Sequence, residues 1–452
     1  MSRFVLTDAT IVTGASSMKG ALGVEDGRIT GIWENDPPGE AEGYVTVPLD
    51  GKVLMAGGID AHVHFREPGM THKADIGSES LAAVTGGITS FIDMPNTVPP
   101  TVSLEALAGK ASLAKGRSLA NYGFHLGATD GNAASIEDCI ALSGDLFGGI
   151  KVFMGSSTGN LLVKDEETLE RLFRIKGKPV LVHSEDETAI KVGLDEALQK
   201  FGKDIPFRAH PMIRSRRACI LSTAKALSMA IADGTRLHLL HVSTAEEVEM
   251  VRAAKIHNPL ITAETSANYL WFCDEDYDRL GPWIKCNPSI KGAGDRAALR
   301  KGLADGIIDT IGSDHAPHLE EEKRKPYPEC PSGIPSIQFS LPVLLTVARE
   351  EGIPLTRIAE AFSETPARIF GIEDRGFLKP GYFADLVVID PDEEWTVQGT
   401  VSKCGWTPYE GVRLHGAVKM VWVNGIPVLP GCRPTSGTGL CPGQPLRFQA
   451  IG

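Results

Sequence analysis

The sequence predicts an α/β protein: a (β/α)8 barrel with a small β-sandwich domain formed by the N- and C-terminal segments. Three observations support this fold class. Eight short apolar runs alternate with longer segments that could hold helices. Strand-like alternation occurs at both ends of the chain, divided by Gly and Asp turns. Polar side chains able to bind metal end nearly all of the eight runs.

The eight apolar runs are the predicted barrel strands. In chain order they are GGIDAHVHF, GITSFIDMP, ANYGFHLGA, GGIKVFMG, KPVLVHSE, TRLHLLHVS, PLITAETSA and IIDTIGSDHA. A typical segment between two runs, EEVEMVRAAKI, repeats its apolar residues at helical spacing. A doubly wound open sheet is the competing arrangement. We favour a TIM-type barrel because its strands must all deliver their loops to one catalytic face, where the metal-competent residues would meet.

The two ends of the chain are predicted to form one small domain. FVLTDATIVTG near the start, and FADLVVID and GAVKMVWVNGIPVL near the end, alternate as antiparallel strands do. The predicted small β domain comprises residues 1–57 and 372–452, and the catalytic barrel comprises residues 58–371. From about Pro430 the chain is rich in Gly, Pro and Ser, which favours a stretch wrapped loosely over the surface.

Composition and charge narrow the classes of protein. No stretch approaches the roughly 18 apolar residues needed to cross a bilayer, and the N-terminus lacks the pattern of an export signal, so a cytoplasmic protein is expected. The net charge of −12 argues against a general nucleic-acid surface but leaves room for a small anionic substrate. The eight Cys form no C-x2-C pair, which favours reduced, mostly buried thiols over a zinc knuckle or redox motif.

His62 and His64 end the first predicted strand. Side chains at positions i and i+2 of a strand point to the same face, so both imidazoles can reach one metal ion. Arg66 follows with the same parity, and Pro68–Gly69 then breaks the strand. A lone His pair has little meaning, but this pair at a strand end, followed by a charge and a turn, suggests a metal site.

Lys151 lies inside the otherwise apolar run GGIKVFMG. A snorkelling lysine is the ordinary interpretation of such a residue. The alternative is a buried amine of depressed pKa that reacts with CO2 to form a carbamate, an anionic ligand able to bridge two metal ions. Burying an unmodified ammonium beside metal ions would be very costly, so the carbamate is favoured if the other ligands are real.

Three further strands end in candidate ligands: His183, His241 and Asp314. Each one alone is about as readily explained as a core residue. Together with His62, His64 and Lys151, however, they place N and O ligands at the ends of five predicted strands. This set suits zinc, with manganese or cobalt as substitutes.

The remaining histidines and charges are assigned structural roles. His238 lies three residues before His241, so strand parity predicts the opposite face and packing against an outer helix. His125 is expected to be structural or to support a ligand, and Asp309 to be structural. The charge run Glu320–Lys325 predicts a solvated, mobile loop. The other histidines given structural roles are His72, His210, His257 and His415.

With these residues in view, the chain resembles the amidohydrolase superfamily and, within it, the dihydroorotase family of cyclic amidohydrolases. The likeness runs from GGIDAHVHFREPG through GGITSFIDMPNTVP, GIKVFMGSSTG, LVHSED and LLHVST to IGSDHAPH, and ends around FADLVVID. HVHFREPG and SDHAPH are its most specific parts. The resemblance covers nearly the whole chain.

The resemblance implies a cofactor of two Zn2+ ions bridged by carboxylated Lys151. His62, His64, Lys151 and Asp314 would hold the more buried ion, and Lys151, His183 and His241 the other. Some bacterial relatives have Asp where this chain has Lys151, so this chain matches the carbamate-bridged type.

The resemblance also implies how the substrate is held. Arg66, Asn96 and His318 match positions that bind the substrate carboxylate, and Asn287 matches one that contacts the pyrimidine ring. The Ser332–Gly333 loop falls where the family lets backbone approach the substrate. Many relatives have a His-rich turn where this chain has Ser266–Asn268, which leaves the loop contacts around the substrate open.

The reaction implied is the reversible cyclisation of N-carbamoyl-L-aspartate to L-dihydroorotate, a step of pyrimidine biosynthesis. In the family, a hydroxide bridging the two metal ions attacks the ring amide, and Asp314 would act as the general acid and base. The partner is thus a small molecule rather than nucleic acid or membrane, and the family is compatible with a homo-oligomer. Another cyclic amidohydrolase (hydantoinase, dihydropyrimidinase or allantoinase) is the nearest alternative. A non-catalytic scaffold of this fold is the more distant one.

Overall fold

The structure is a computed structural model that describes residues 3–35, 43–155, 161–429, 441–449 and 451. Its first five strands are β1 (Arg3–Val12), β2 (Ser17–Glu25), β3 (Arg28–Glu34), β4 (Val45–Pro48) and β5 (Val53–Ala56). β2 and β3 form an antiparallel hairpin closed by Asp26 and Gly27, both at positive φ. That backbone is required by the tight turns that match strand twist, and Asp and Gly tolerate it best.

Nine strand segments of the central chain correspond to the eight apolar runs. They are β6 (Gly58–Val63), β7 (Ile88–Asp93), β8 (Asn121–Phe124), β9 (Leu126–Gly127), β10 (Ile150–Phe153), β11 (Val180–His183), β12 (Leu237–Leu239), β13 (Thr262–Thr265) and β14 (Thr310–Ile311). The third run is interrupted at His125, and its two parts pair with different neighbours: β8 with β7, and β9 with β10. All of these pairings are parallel.

The parallel strands close into a barrel. Two sheets, ordered β6-β7-β8 and β9-β10-β11-β12-β13-β14, share the interrupted third run. Beyond β14, His315 forms a parallel bridge with Val63, and the His64 amide donates to the His315 carbonyl at 2.8 Å, so the last strand meets the first. The predicted barrel is confirmed, and the open doubly wound sheet is excluded because it would leave two free edges.

Helices fill the connections between barrel strands. They are α1 (Ile76–Thr85), α2 (Leu104–Ala114), α3 (Ile136–Ser143), α4 (Glu166–Phe173), α5 (Glu187–Phe201), α6 (His210–Ile213), α7 (Arg216–Asp233), α8 (Ala245–His257), α9 (Ala267–Trp271), α10 (Tyr277–Leu280), α11 (Ala293–Ala304), α12 (Glu320–Lys323), α13 (Ser340–Glu351), α14 (Leu355–Ala359) and α15 (Thr365–Phe370). The helix predicted from EEVEMVRAAKI is α8. It begins with a capping box in which Thr244 and Glu247 satisfy each other's backbone N–H groups. No helix in the described ranges is long and apolar enough to span a membrane.

The chain returns to the N-terminal sheet in β15 (Leu386–Thr396), β16 (Arg413–Val423) and β17 (Ile426–Leu429). The resulting sheet has the order β17-β16-β15-β5-β1-β2-β3, with β4 paired to β1. It is mostly antiparallel and built from both chain ends, as predicted. The exact limits of the two domains remain predictions.

The C-terminal segment differs from its prediction. Residues 430–440 of the expected loose stretch lie outside the described residues, but 441–449 pack against the amino-terminal ends of the barrel strands. The Tyr122 amide of β8 donates to the Gln444 carbonyl at 3.0 Å, and Phe448 is buried with Phe370 and Leu181. This segment therefore covers the end of the barrel opposite the pocket described below. Apolar residues within a stretch rich in turn formers concealed this role.

Candidate metal-binding active site

A cavity of about 310 Å3 opens at the carboxyl ends of the barrel strands. This is the end at which barrel enzymes carry their catalytic groups. All ten of the predicted site residues line it: His62, His64, Arg66, Asn96, Lys151, His183, His241, Asn287, Asp314 and His318. Residues from seven different strand ends and loops are thus brought into one pocket.

His62, His64 and Asp314 form a compact donor group within this pocket. Asp314 Oδ1 lies 3.3 Å from His62 Nε2 and 3.1 Å from His64 Nε2. One ligand atom from each residue lies within 4.8 Å of the other two. Two imidazoles and one carboxylate at this spacing are a common donor set for a divalent metal ion.

In both imidazoles, Nδ1, the nitrogen that does not face Asp314, already makes a hydrogen bond. His62 Nδ1 donates to Glu264 Oε1 at 2.7 Å, and His64 Nδ1 donates to Asn96 Oδ1 at 2.8 Å. In the neutral ring each Nε2 is therefore left with its lone pair facing the Asp314 carboxylate. Three acceptor atoms that face one another call for a cation between them, so these residues fit a metal ion.

Lys151 lies in β10 with its side chain inside the barrel. It is 1% exposed, and its Nζ lies 4.5 Å from the centre of the Phe153 ring. Burial lowers the pKa of Lys151 to about 7, while the charges of Asp314 and Glu264 oppose that shift. A substantial fraction of the amine is therefore neutral near pH 7, which is the form that adds to CO2.

A second donor pair lies on β11 and just beyond β12. His183 Nδ1 and His241 Nε2 are 2.9 Å apart, and both rings are buried. His183 Nε2 donates to Glu185 Oε2 at 2.9 Å, which leaves Nδ1 as the nitrogen available to a metal. Burial lowers the pKa of both rings, that of His241 well below its ordinary value, so both remain neutral and able to bind metal.

The electrostatics keep Asp314 ionised. Burial alone would raise the pKa of its carboxyl group, but its interactions with His62 and His64 outweigh burial. The pKa is thus held well below its usual range.

Three pocket residues have a left-handed backbone that non-glycine residues rarely adopt: φ is 48° at Asp314, 39° at His241 and 66° at Arg66. Strained backbone at three pocket residues is typical of functional sites.

Arg66 and His318 form one wall of the pocket. Arg66 is 5% exposed; its Nε donates to the Pro317 carbonyl at 3.0 Å and its Nη2 approaches His318 Nε2 at 3.1 Å. Burial lowers the pKa of Arg66 to about 10, so it stays a cation. The pKa of His318 falls to about 3 because of burial and the Arg66 charge, so its ring is neutral. The pair thus offers one positive charge and a planar set of donors to an anion.

Asn287 and one loop complete the lining of the pocket. The Asn287 side chain faces the pocket, and its Oδ1 is buried without a hydrogen-bond partner among the described residues. Such an atom is suited to accept from a ligand N–H. Gly333 also lines the cavity at φ of 152°, and a Cβ there would lie 2.4 Å from the Ala316 carbonyl oxygen. Only glycine therefore fits where this backbone borders the pocket.

Two carboxylates of this site were missed by the sequence analysis. Glu264 of β13 is 1% exposed and orients His62, and Glu185 is fully buried and orients His183. Glu185 also accepts a hydrogen bond from Arg214, another residue of the pocket lining. Their only signal in the sequence was a carboxylate inside or directly after an apolar strand, which is ambiguous without knowledge of its partner.

The predicted position of His238 is wrong. In the sheet register His238 is opposite Leu181, which is opposite Lys151, so the three side chains lie in one row inside the barrel. Its Nδ1 lies 2.8 Å from Thr262 Oγ1 and its Nε2 lies 3.7 Å from Glu264 Oε2. Parity failed because β12 ends at Leu239 and His241 adopts positive φ.

The charge run Glu320–Lys325 was predicted to be a loop, and this prediction is wrong for its first four residues. Glu320–Lys323 form the helix α12, and Lys323 is fully buried. The structural roles of two other residues are confirmed: His125 Nε2 donates to the Ala61 carbonyl at 2.9 Å, and Asp309 pairs with Lys255 at 2.7 Å. Ser266–Asn268 do not line the pocket.

The fold and the site together define a class of barrel hydrolase with a metal-competent centre at the strand ends. The amidohydrolase family profile matches residues 53–428. A dihydroorotase from Methanosarcina mazei is 36% identical over 402 residues, covering 86% of each chain. An allantoinase from Streptomyces avermitilis is 30% identical over 428 residues, covering 93% of this chain and 94% of that one. The solved L-hydantoinase (dihydropyrimidinase) of Arthrobacter aurescens superposes with a TM-score of 0.90 at 27% identity, covering 99% of this chain and all of the other.

This chain therefore belongs to the amidohydrolase family. It is a hydrolase of that family, since the profile covers most of the chain and several relatives named dihydroorotase exceed 30% identity over most of their length.

Proposed function

We propose that this protein catalyses the reversible cyclisation of N-carbamoyl-L-aspartate to L-dihydroorotate. The observation that carries the proposal is the buried Arg66 guanidinium at the pocket wall, beside the donor group of His62, His64 and Asp314. A buried guanidinium in a substrate pocket needs an anionic partner, and the ring carboxylate of dihydroorotate supplies one. The dihydroorotases among the relatives support the same substrate.

The residues proposed to hold two zinc ions all line the pocket. His62, His64 and Asp314 would hold one ion, His183 and His241 the other, with Lys151 as a carbamate shared by both. The carbamate forms when the neutral Nζ adds to the carbon of CO2 and loses one proton, and burial favours that neutral amine. When bound, divalent zinc supplies Lewis-acid polarisation of the amide carbonyl and makes a water acidic enough to react at neutral pH.

Asp314 is the proposed general acid and base. Its ionised carboxylate lies in the pocket lining and can accept a proton from the attacking water during ring opening. It would then pass this proton to the ring nitrogen that leaves the carbonyl carbon. In the direction of ring closure the Asp314 carboxylate would first accept a proton from the attacking carbamoyl nitrogen and then deliver it to the oxygen that leaves the substrate carboxylate.

Arg66 would orient the ring for this transfer. A guanidinium can hold a carboxylate through two parallel hydrogen bonds, which fixes both the distance and the rotation of the substrate. The neutral His318 ring and the Asn96 side chain would complete this carboxylate site, and Asn287 Oδ1 would accept from a ring N–H. The Asn96 oxygen already accepts from His64, so Asn96 would connect the carboxylate site to a metal ligand.

A cyclic amide without a ring carboxylate is the second candidate. The close superposition on a hydantoinase and the sequence similarity to an allantoinase favour this alternative. Neither class of substrate gives Arg66 a carboxylate to bind, so we place it second.

The test is ring opening of L-dihydroorotate compared with hydantoin, dihydrouracil and allantoin. The protein should be loaded with zinc in the presence of bicarbonate, and its metal content measured before each assay. We expect turnover of dihydroorotate and at most traces with the other three rings. Turnover restricted to the carboxylate-free rings would overturn the substrate assignment.

A further inference from the structure

We propose that Lys323 and Lys285 form a latch that holds residues 326–333, here called the wall loop, in the shape that borders the substrate pocket. Lys323 is thus a positioning residue for substrate binding. The inference rests on the proposed function for its substrate, but the contacts that carry it are independent of which ring is bound.

Lys323 uses all three of its N–H donors on backbone carbonyls. It is fully buried at the end of α12, and its Nζ donates to the carbonyls of Pro331 and Gly333 at 3.0 Å each and of Lys285 at 3.2 Å. An ammonium group has three donors and no acceptor, so every hydrogen-bond donor of Lys323 Nζ has a partner. Two of the three acceptors belong to the wall loop.

Lys285 grips the other part of the same loop. Its Nζ donates to the Tyr327 carbonyl at 2.9 Å and to the Cys330 carbonyl, and it lies 4.3 Å from the centre of the Tyr327 ring. The Lys285 carbonyl accepts from the Gly333 amide at 2.9 Å as well as from Lys323. The two lysines therefore hold both ends of the wall loop, and a hydrogen bond from Lys323 Nζ to the Lys285 carbonyl joins them.

The wall loop forms one side of the pocket through its backbone. Pro331, Ser332 and Gly333 line the cavity. The Ser332 carbonyl lies 3.1 Å from His318 Nε2, the same nitrogen that Arg66 approaches. A shift of this loop would therefore move the backbone beside the substrate and the histidine that supports Arg66.

The energetic cost of the arrangement argues for a positional role. No carboxylate lies within ion-pair distance of either Nζ in the described part of the chain, so the two charges are compensated by carbonyl dipoles and by the faces of the Tyr327 and Trp406 rings. Burial lowers the pKa of each lysine to about 8. An apolar side chain of similar length would avoid this desolvation, whereas only a multiple donor can fix several carbonyls at once.

The test compares Lys323→Met with Lys325→Met, a lysine two residues away whose side chain is exposed. Hydrogen exchange of the amides of Ser332, Gly333 and Ile334 is measured by mass spectrometry on the zinc-loaded protein, and steady-state constants are measured with dihydroorotate. For Lys323→Met we expect faster exchange in this segment and a KM raised about tenfold or more, with kcat changed by less than about threefold. Metal content should stay unchanged, and Lys325→Met should match the parent protein.

Unchanged exchange and KM in Lys323→Met would overturn the latch, as would a parallel loss of kcat and bound metal. Should Lys323→Met not fold, Lys285→Met carries the same expectations and the same contrary outcomes. If the parent protein fails to open dihydroorotate, the proposed function falls, but the exchange comparison still decides whether the latch exists.

Discussion

Glu264 Oε1 lies 2.7 Å from His62 Nδ1 inside the barrel, although 202 residues separate them in the chain. Both side chains are buried, so the carboxylate fixes which nitrogen of His62 carries the proton. The other nitrogen then faces Asp314. Burial opposes ionisation of Glu264, but the interaction with His62 holds its pKa well below the usual range.

We expect Glu264→Gln to weaken metal binding at His62 by about 10- to 100-fold, because the neutral amide no longer polarises the imidazole. The measurement is competition with a chelator, followed by metal analysis. Glu321→Gln, a change at an exposed residue, is the control. Equal metal retention in the two variants would contradict the role assigned to Glu264.

Arg66→Lys should keep the metal content but lose about 100-fold or more in kcat/KM for dihydroorotate. Lysine retains the charge but cannot make two parallel hydrogen bonds to one carboxylate, so the substrate loses its orientation. Arg66→Ala should lose at least as much. Steady-state kinetics and metal analysis test this, with Arg208→Ala at an exposed site as the control. Near-normal kcat/KM in Arg66→Ala would refute the carboxylate clamp.

Asp314→Asn should give a folded protein with kcat lowered by about 100- to 10,000-fold, because the amide cannot accept the proton. Circular dichroism and metal analysis distinguish this loss from misfolding or from loss of the metal ligand. Appreciable turnover with metal still bound would mean that another group moves the proton.

Lys178→Met should stabilise the protein, and more at pH 7 than at pH 10. Lys178 Nζ is buried without a hydrogen-bond partner among the described residues, 5.6 Å from the Phe147 ring and 5.4 Å from the Phe448 ring. Burial lowers its pKa from 10.5 to about 8. Between pH 7 and pH 10 the unfolded chain binds more protons at Lys178 than the native protein does. The free energy of unfolding of the parent protein therefore rises with pH across this range.

The gain from Lys178→Met at pH 7 should be about 1–2 kcal/mol in the free energy of unfolding, which is less than the full pKa shift would give. Urea denaturation at both pH values measures it, and Lys203→Met at an exposed site is the control. A gain that is equal at pH 7 and pH 10 would mean that the charge of Lys178 is not the cause.

The sequence was most informative where local chemistry and strand period coincide. The eight apolar runs predicted the barrel strands, because a buried parallel strand is apolar on both faces and brief. His62 and His64 were identifiable as a pair because their spacing matches the strand period. The roles assigned to them and to the other site residues remain predictions, although all ten side chains meet in one pocket.

The remaining features depend on contacts that no local pattern encodes. The role of Glu264 can be recognised only from its contact with His62, which is distant in the chain. Lys323 lies in a run of charges that looks solvated, yet the wall loop folds over it. His238 was placed on the wrong face because β12 ends at Leu239, two residues before His241, and the positive φ of His241 breaks the alternation.

The burial of Phe448 has a consequence for the order of synthesis and folding. This side chain packs with Phe370 and Leu181 at the amino-terminal end of the barrel, and the segment around it pairs with β8. This end of the barrel cannot complete its packing until residues 441–449 have been synthesised and have folded against it. The catalytic domain therefore depends for its full stability on a segment that lies more than 100 residues beyond the last residue lining the pocket.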